Sequence, residues 1–308
     1  MKMKNFLLLC LFAVGVNLVS CKKNNNDNPP DNSLQITAHS EDQARVASEM
    51  DAVANDANIA IESSAAFSGR LQDIQGPICD ATIDVDAASN PMTITITYNG
   101  TNCLGNRTRT GTIVLSMNAG TQWKNAGATI NLEYQNFKVT RLSDNKSITL
   151  NGHVAIENVS GGLLVNLASL GSITHAITGN SLVLTFDNGA QRIWNVARER
   201  VFTFSNGINV SVSGTETVGT IPNVAEWGTN RFGHEFTTAT IFPLEFRQDC
   251  DFRLTAGTLQ HHTPAVTATA EFGLNASGNP VSCPAGNYYL KLTWTGMGGD
   301  TLTVIRPY

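Results

Sequence analysis

The chain has 308 residues, with 20 Lys and Arg residues against 25 Asp and Glu residues, and a net charge of −5. This length is enough for one large β domain or for two modest domains. The acidic balance argues against a nucleic-acid partner, because proteins that bind nucleic acid present a basic stripe to the phosphates.

The start of the chain has the organisation of a secretory signal peptide. Two lysines precede an apolar run at 6–16, which is shorter than the about 20 apolar residues that a membrane-spanning helix needs. The motif LVSC at 18–21 then resembles the lipobox of bacterial lipoproteins. The resemblance implies that residues 1–20 are removed and that Cys21 becomes the first residue, acylated with fatty acids such as palmitate.

The segment 21–33 is predicted to be a flexible tether. Its NNNDNPPDNS stretch is polar, contains Pro and has no apolar side chain to bury. In lipoproteins of this kind, an Asp beside the lipidated Cys favours the inner membrane, and here that residue is Lys22. We therefore expect a lipid anchor in the outer membrane, with the domain either periplasmic or exposed at the surface.

Four cysteines remain after Cys10 leaves with the leader and Cys21 takes lipid. An even number in an exported chain implies disulfide bonds. Three pairings can be drawn, and the local pairing is favoured, in which each bond constrains the unfolded chain by roughly 3–4 kcal/mol. A zinc or redox site is disfavoured because no Cys-x-x-Cys motif or Cys/His cluster occurs. The favoured pairs are Cys79–Cys103 and Cys250–Cys283.

An N-terminal helical segment is predicted at 34–76, with one amphipathic helix over 40–66. Its apolar residues recur at spacings of three and four, which places them on one face. We expect this stripe to pack on a sheet, because the polar face is acidic and therefore unsuited to a lipid surface. The stripe consists of Val46, Met50, Val53, Ala57 and Ile61.

The remaining chain, 77–308, is predicted to be a β domain. Aliphatic residues alternate with Thr in several runs, and Asn-Gly turn pairs follow at 99–100, 151–152 and 206–207. This pattern indicates a mainly β protein built as an antiparallel meander, a sandwich or a long twisted sheet. The segment 162–171 is compatible with either a strand or a short helical turn.

Three stretches carry a second resemblance. They are CDATIDVDAASNPMTITITYNGTNCLGNRTRTGTIVLSM, QRIWNVARERVFTF and PLEFRQDCDFRLTAGTLQ. Together they are similar to outer-membrane lipoproteins of Bacteroidetes type over most of 78–292. The resemblance supports the local cysteine pairing and one continuous β unit, and it adds no information about activity.

One strand carries a candidate ligand platform. Arg192, Trp194, Arg198 and Arg200 share strand parity, so their side chains lie on one face. This face either forms a ladder of cation–π contacts that closes the sheet or presents aromatic and guanidinium groups to a glycan. The structural alternative is favoured, because large exposed aromatic patches are uncommon without a partner.

No catalytic, metal or cofactor site is predicted. The His234-Glu235 pair begins a zinc-protease motif, but Thr238 stands where the motif needs its second His. The rings of His261 and His262 point to opposite faces of a strand and cannot chelate together there. No phosphate-binding loop, dinucleotide motif or nucleophile elbow occurs.

The sequence thus predicts a lipid-anchored envelope protein with a non-enzymatic binding or structural module. Its expected partners are the membrane, through the anchor, and a glycan or an envelope protein. One alternative is a polysaccharide hydrolase that uses Asp249, Asp251 or Glu235, which requires two carboxyl groups on opposite sides of a sugar ring. A second alternative is a pilin-like subunit with a strand-exchange groove and a detachable first strand.

Overall fold

A computed structural model describes residues 32–70, 78–250, 252–264, 266–283, 287–296 and 299–308. The predicted signal peptide, the lipidation site Cys21 and nearly all of the predicted tether lie outside these residues. The described chain contains an N-terminal helical part followed by a large antiparallel sheet. The prediction of a mainly β, antiparallel fold is confirmed.

Two helices open the described chain, α1 (Asn32–Ser63) and α2 (Ala65–Ser68). Helix α1 begins eight residues before the predicted start at residue 40. The reason is that neither Pro nor Gly, the strongest helix breakers, occurs between 32 and 68. Gly69 then ends α2 in a left-handed conformation with φ of 78°.

The sheet has 15 strands within the described residues. A short helix, α3 (Leu167–Leu170), follows a single 3-10 turn at Leu164–Asn166 and stands between two of them. The strands are β1 (Ala81–Asp86), β2 (Met92–Thr101), β3 (Arg107–Met117), β4 (Ala128–Arg141), β5 (Ser147–Asn158), β6 (Ser172–Phe186), β7 (Gln191–Phe204), β8 (Ile208–Gly214), β9 (Glu216–Val218), β10 (Ile221–Thr229), β11 (Glu235–Arg247), β12 (Arg253–His262), β13 (Val266–Leu274), β14 (Tyr289–Gly296) and β15 (Thr301–Pro307).

The strands pair as one long meander, except that β8 to β10 do not pair in sequence order. Strands β1 to β7 pair in sequence order, and so do β11 to β15. Strand β7 pairs with both β8 and β10, β8 also pairs with β11, and β9 pairs with β10. The β2–β3 pairing is regular, with Met92 opposite Met117 and Thr101 opposite Thr108, whereas each pairing from β3–β4 to β6–β7 contains a register shift. The strands therefore form one long antiparallel sheet that is largely a meander, and not two separate sheets packed as a sandwich.

The core lies between α1 and one face of the sheet, which we call the inner face. The apolar stripe of α1 is buried and belongs to the same hydrophobic cluster as alternate residues of the strands. The apolar residues that recur every second position in the strands and every three or four positions in α1 therefore pack together in one core. Its inner-face members include Ile94, Ile96, Ile113, Leu115, Ile130, Leu132, Ile148, Leu150, Leu182, Leu184, Trp194 and Val196.

The ambiguous segment 162–171 forms the 3-10 turn and α3 rather than a strand. Leu167 is buried there against Ile173 and Phe202, in a small cluster separate from the main core. This packing joins α3 to the start of β6 and the end of β7, and the Leu164 amide donates a hydrogen bond to Glu62 of α1. Within the described ranges, no helix is both long and apolar enough to cross a membrane.

Candidate functional site

Both favoured cysteine pairs are close enough to be bonded. The Cα atoms of Cys79 and Cys103 are 5.2 Å apart, and those of Cys250 and Cys283 are 6.0 Å apart, within the usual disulfide range of about 4.4–6.8 Å. The first bond fastens the chain just before β1 to the turn between β2 and β3. Because the sulfurs are bonded to each other, they are not available as thiolate metal ligands.

The predicted platform lies on the inner face and is buried. Arg192 is 0% exposed, Trp194 is 1% exposed, and Arg198 and Arg200 are each 8% exposed. The Arg192 guanidinium carbon lies 4.3 Å from the centre of the Phe236 ring, and that of Arg198 lies 5.8 Å from the Trp194 ring. In this structure α1 and the neighbouring strands cover the face that a glycan would have to reach.

Four arginines, two buried and two partly buried, are paired with acidic residues of α1. Each pair joins a carboxylate of the helix to a guanidinium of the sheet or its turns. Helix α1 is therefore held by charge along its polar sides as well as by its apolar stripe. These pairs are Asp42–Arg231, Glu49–Arg107, Asp51–Arg200 and Asp56–Arg109.

Arg109 forms the most complete of these groups. Its Nε and Nη2 donate to the two carboxylate oxygens of Asp80 at 2.7 and 2.5 Å, and its Nη1 donates to Asp56 at 2.6 Å. The Tyr98 hydroxyl also donates to Asp56, at 2.9 Å. Burial raises the pKa of Tyr98, and the charge of Asp56 raises it further. Although burial alone lowers the pKa of Arg109, its bonds to Asp80 and the charge of Asp56 hold it above the usual value.

The arginines of β7 lie in a more strongly desolvated setting. Burial lowers the pKa of Arg192 to about 9 and that of Arg198 to about 10. Arg198 pairs with Glu226, and both side chains are nearly inaccessible to solvent. Such a pair is costly to bury and is strongly destabilising when one partner is removed. This strand therefore carries charge into the interior instead of presenting it to a ligand at the surface.

A neutral histidine lies beside these arginines. His175 is directly opposite Arg200 in the β6–β7 pair and stacks edge-on between Trp123 and Phe202, with both ring centres 5.1 Å away. Burial lowers the pKa of His175 to about 4, with a further contribution from Arg200. The ring is uncharged at neutral pH and packs as an aromatic side chain.

The other residues considered for catalysis do not converge. His234 and Glu235 are exposed at the start of β11, and Asp249 is paired with Arg247. Asp251 lies outside the described residues. The Nδ1 atom of His261 is 2.7 Å from the Thr238 hydroxyl, so the residue that replaces the second motif histidine contacts a different histidine instead.

An open groove beside the Cys250–Cys283 bond was not predicted from the sequence. It has a volume of about 450 Å³, and the described residues that line it are mostly polar and include one carboxylate, Glu245. Pairing of β8 with β11 and of β11 with β12 brings these residues together, and no motif marks them along the chain. The lining consists of Thr203, Ser205, Asn209, Glu245, Arg247, Thr255, Ala256, Val281, Ser282 and Cys283.

Comparisons of the chain with protein-family models, with curated proteins and with solved structures found no match. The function is therefore inferred from the arrangement of the residues. It offers two features: a polar groove open to solvent, and an internal layer of arginine and aromatic side chains beneath α1.

Proposed function

We propose that the chain is an exported, lipid-anchored protein of the outer membrane whose β domain is a non-enzymatic binding module. The observation that carries the proposal is the pair of local cysteine bonds. Disulfide bonds persist in oxidising compartments such as the periplasm and the cell surface and are rare in the cytosol. The lipobox-like motif that ends at Cys21 supports the same location from an independent part of the chain.

The groove is the surface where we propose that the module binds. Its hydroxyl, amide and guanidinium groups suit a hydroxyl-rich ligand such as an envelope glycan. Glycoside hydrolysis is less well supported, because it requires two carboxyl groups about 5–9 Å apart and the described residues that line the groove supply one, Glu245. Binding without turnover is therefore the function that fits this lining best.

The pilin-like alternative meets an obstacle at the first strand. Strand exchange requires that strand to leave the sheet. Here Cys79, just before β1, is bonded to Cys103, and the adjacent Asp80 is held by two hydrogen bonds to Arg109. Both links would have to break before β1 could be released.

Metabolic labelling with an alkyne-bearing palmitate tests the anchor. We expect the wild-type protein to incorporate the label and Cys21→Ser to lose it. Cys10→Ser is the matched control, since it removes the other leader cysteine and should keep the label. Labelling of Cys21→Ser at the wild-type level would refute the anchor.

A glycan array probed with the detergent-solubilised full chain tests the module. We expect binding by the wild-type protein and its loss in Arg247→Ala, which alters the groove lining. Arg306→Ala changes an exposed arginine on β15, outside the groove, and should bind normally. Equal binding by both variants would place the glycan site elsewhere.

A further inference from the structure

A small cavity lies between α1 and the inner faces of β4 to β7. Its volume is about 20 Å³, and one water molecule needs roughly 10–15 Å³ by this measure. The space therefore holds a single water or a monatomic ion and excludes organic ligands. Its apolar walls are formed by Met50, Ala54, Leu132, Val154, Ile156, Ile177 and Val196.

The polar part of the wall consists of hydrogen-bond donors. Tyr134, Trp194, Arg198 and Arg200 line the cavity, and the lining includes no carboxylate or amide side chain among the described residues. Among the described residues, the Trp194 Nε1 and Arg200 Nε atoms have no hydrogen-bond partner although both are buried. Leaving a buried donor unsatisfied costs about 1–3 kcal/mol, so an acceptor inside the cavity would be strongly favoured.

The charge around the cavity is unevenly neutralised. Arg198 and Arg200 have side chains that are 9% exposed, and Arg198 is paired with Glu226, which is 4% exposed. The partner of Arg200 is Asp51, whose side chain is 41% exposed and which also lies 3.7 Å from Arg198. Solvent screens the charge of Asp51, so it offsets the buried guanidinium only partly. The positive charge of Arg200 also lowers the pKa of His175, in addition to the larger effect of burial.

A water molecule fits this wall less well than an anion does. Water must donate two hydrogen bonds, and the Tyr134 hydroxyl is the single side-chain group of the lining that can accept one. A halide ion accepts hydrogen bonds from every direction and adds a negative charge beside two guanidinium groups. We propose that the cavity binds one small monovalent anion such as chloride, held by Trp194, Arg198 and Arg200.

Thermal unfolding of the purified full chain tests this site. We expect chloride to raise the midpoint relative to gluconate at the same ionic strength and pH 7, by an amount that grows with the logarithm of the chloride concentration above the Kd. At a chloride concentration 100 times the Kd, binding raises the ratio of folded to unfolded protein about 100-fold. An identical midpoint in both salts would overturn the proposal and indicate that the cavity holds water and not chloride.

The matched variants are Trp194→Phe and Trp123→Phe. Each removes the Nε1–H of a buried tryptophan that has no partner among the described residues, but only Trp194 lines the cavity. We expect Trp194→Phe to weaken the apparent chloride affinity about 10-fold, which corresponds to the loss of one charge-assisted hydrogen bond of about 1.4 kcal/mol. Trp123→Phe should keep the wild-type affinity, and equal affinities in the two variants would contradict the assignment.

Anomalous diffraction from wild-type crystals soaked in sodium bromide gives a test that does not depend on how the variants fold. We expect a bromine peak between the Trp194 and Arg200 side chains. A cavity without such a peak, with bromide bound only at the surface or not at all, would refute the site.

Discussion

Two parts of the sheet carry nearly the same sequence pattern and have different surroundings. In β2 the run TITIT at 93–97 has fully buried Ile94 and Ile96 between partly exposed threonines. In β13 the run VTATA at 266–270 has every residue half-buried on both faces. The isoleucines of β2 pack against α1 in one core, and this cover is the reason that they are fully buried. Alternation predicts a strand, and the covering element decides how far it is buried.

The largest difference between the two regions is expected for buried arginines. Arg109→Leu removes the partner of Asp80, whose side chain is 0% exposed. Leaving that carboxylate unpaired should lower the free energy of unfolding by about 3–5 kcal/mol. The exposed Arg306 on β15 serves as the control, and Arg306→Leu should change it by less than about 0.5 kcal/mol. Urea unfolding measures the free energy of unfolding of both variants. Similar losses would show that the part of the sheet covered by α1 is no more sensitive to loss of an arginine than the exposed part.

Leucine truncation should follow the same division. Leu132 is 1% exposed on β4, and Leu132→Ala should lower the free energy of unfolding by about 2–5 kcal/mol, because it leaves a cavity in a packed core. Leu292 on β14 is half-buried, so Leu292→Ala should cost about 1 kcal/mol or less, since less apolar area is lost. Chemical denaturation of both variants with equal midpoints would contradict the comparison.

Acid should destabilise the protein through two histidines, the buried His175 and the partly buried His261. The pKa of His175 and that of His261 are both lowered to about 4, chiefly by burial. A depressed histidine pKa leaves stability complete above the ordinary value of 6.5 and removes it as the pH falls from there toward 4. The expected loss is about 3 kcal/mol for His175 and less for His261, whose ring is partly exposed to solvent. His175→Phe should remove most of the dependence of the unfolding free energy on pH between 6.5 and 4, and an unchanged dependence would contradict this assignment.

The smallest effect is expected for an ion pair at the surface. Hydrogen bonds from Arg141 lower the pKa of Asp144 to about 2, but both side chains are well exposed to solvent. Solvent screening should hold the effect of Asp144→Asn below about 1 kcal/mol. Thermal unfolding at high salt should reduce even this difference, and a larger loss would mean that the turn depends on the pair.

The sequence predicted those features that depend on neighbours along the chain. The stripe from Val46 to Ile61 indicated a helix with one apolar face, alternation indicated the strands, and the spacing of the cysteines favoured local pairs. Helix α1 nevertheless begins at Asn32, eight residues before the predicted start, because no Pro or Gly interrupts the residues between.

Features that depend on distant pairing could not be predicted in the same way. Strand parity placed Arg192 and Arg200 on one face but did not show which face α1 covers. The acidic residues of α1 were a usable signal, since buried arginines require such partners. No local pattern indicates that β8 lies between β7 and β11, and the polar groove depends on that arrangement.

The central claim is that the protein is an exported, lipid-anchored and cross-linked domain. Intact mass spectrometry of the unreduced protein extracted from membranes tests it most directly. The account predicts the mass of residues 21–308 with acyl groups added and four hydrogens missing, as two disulfide bonds require. A mass equal to the unmodified 308-residue chain with all its thiols reduced would contradict the account.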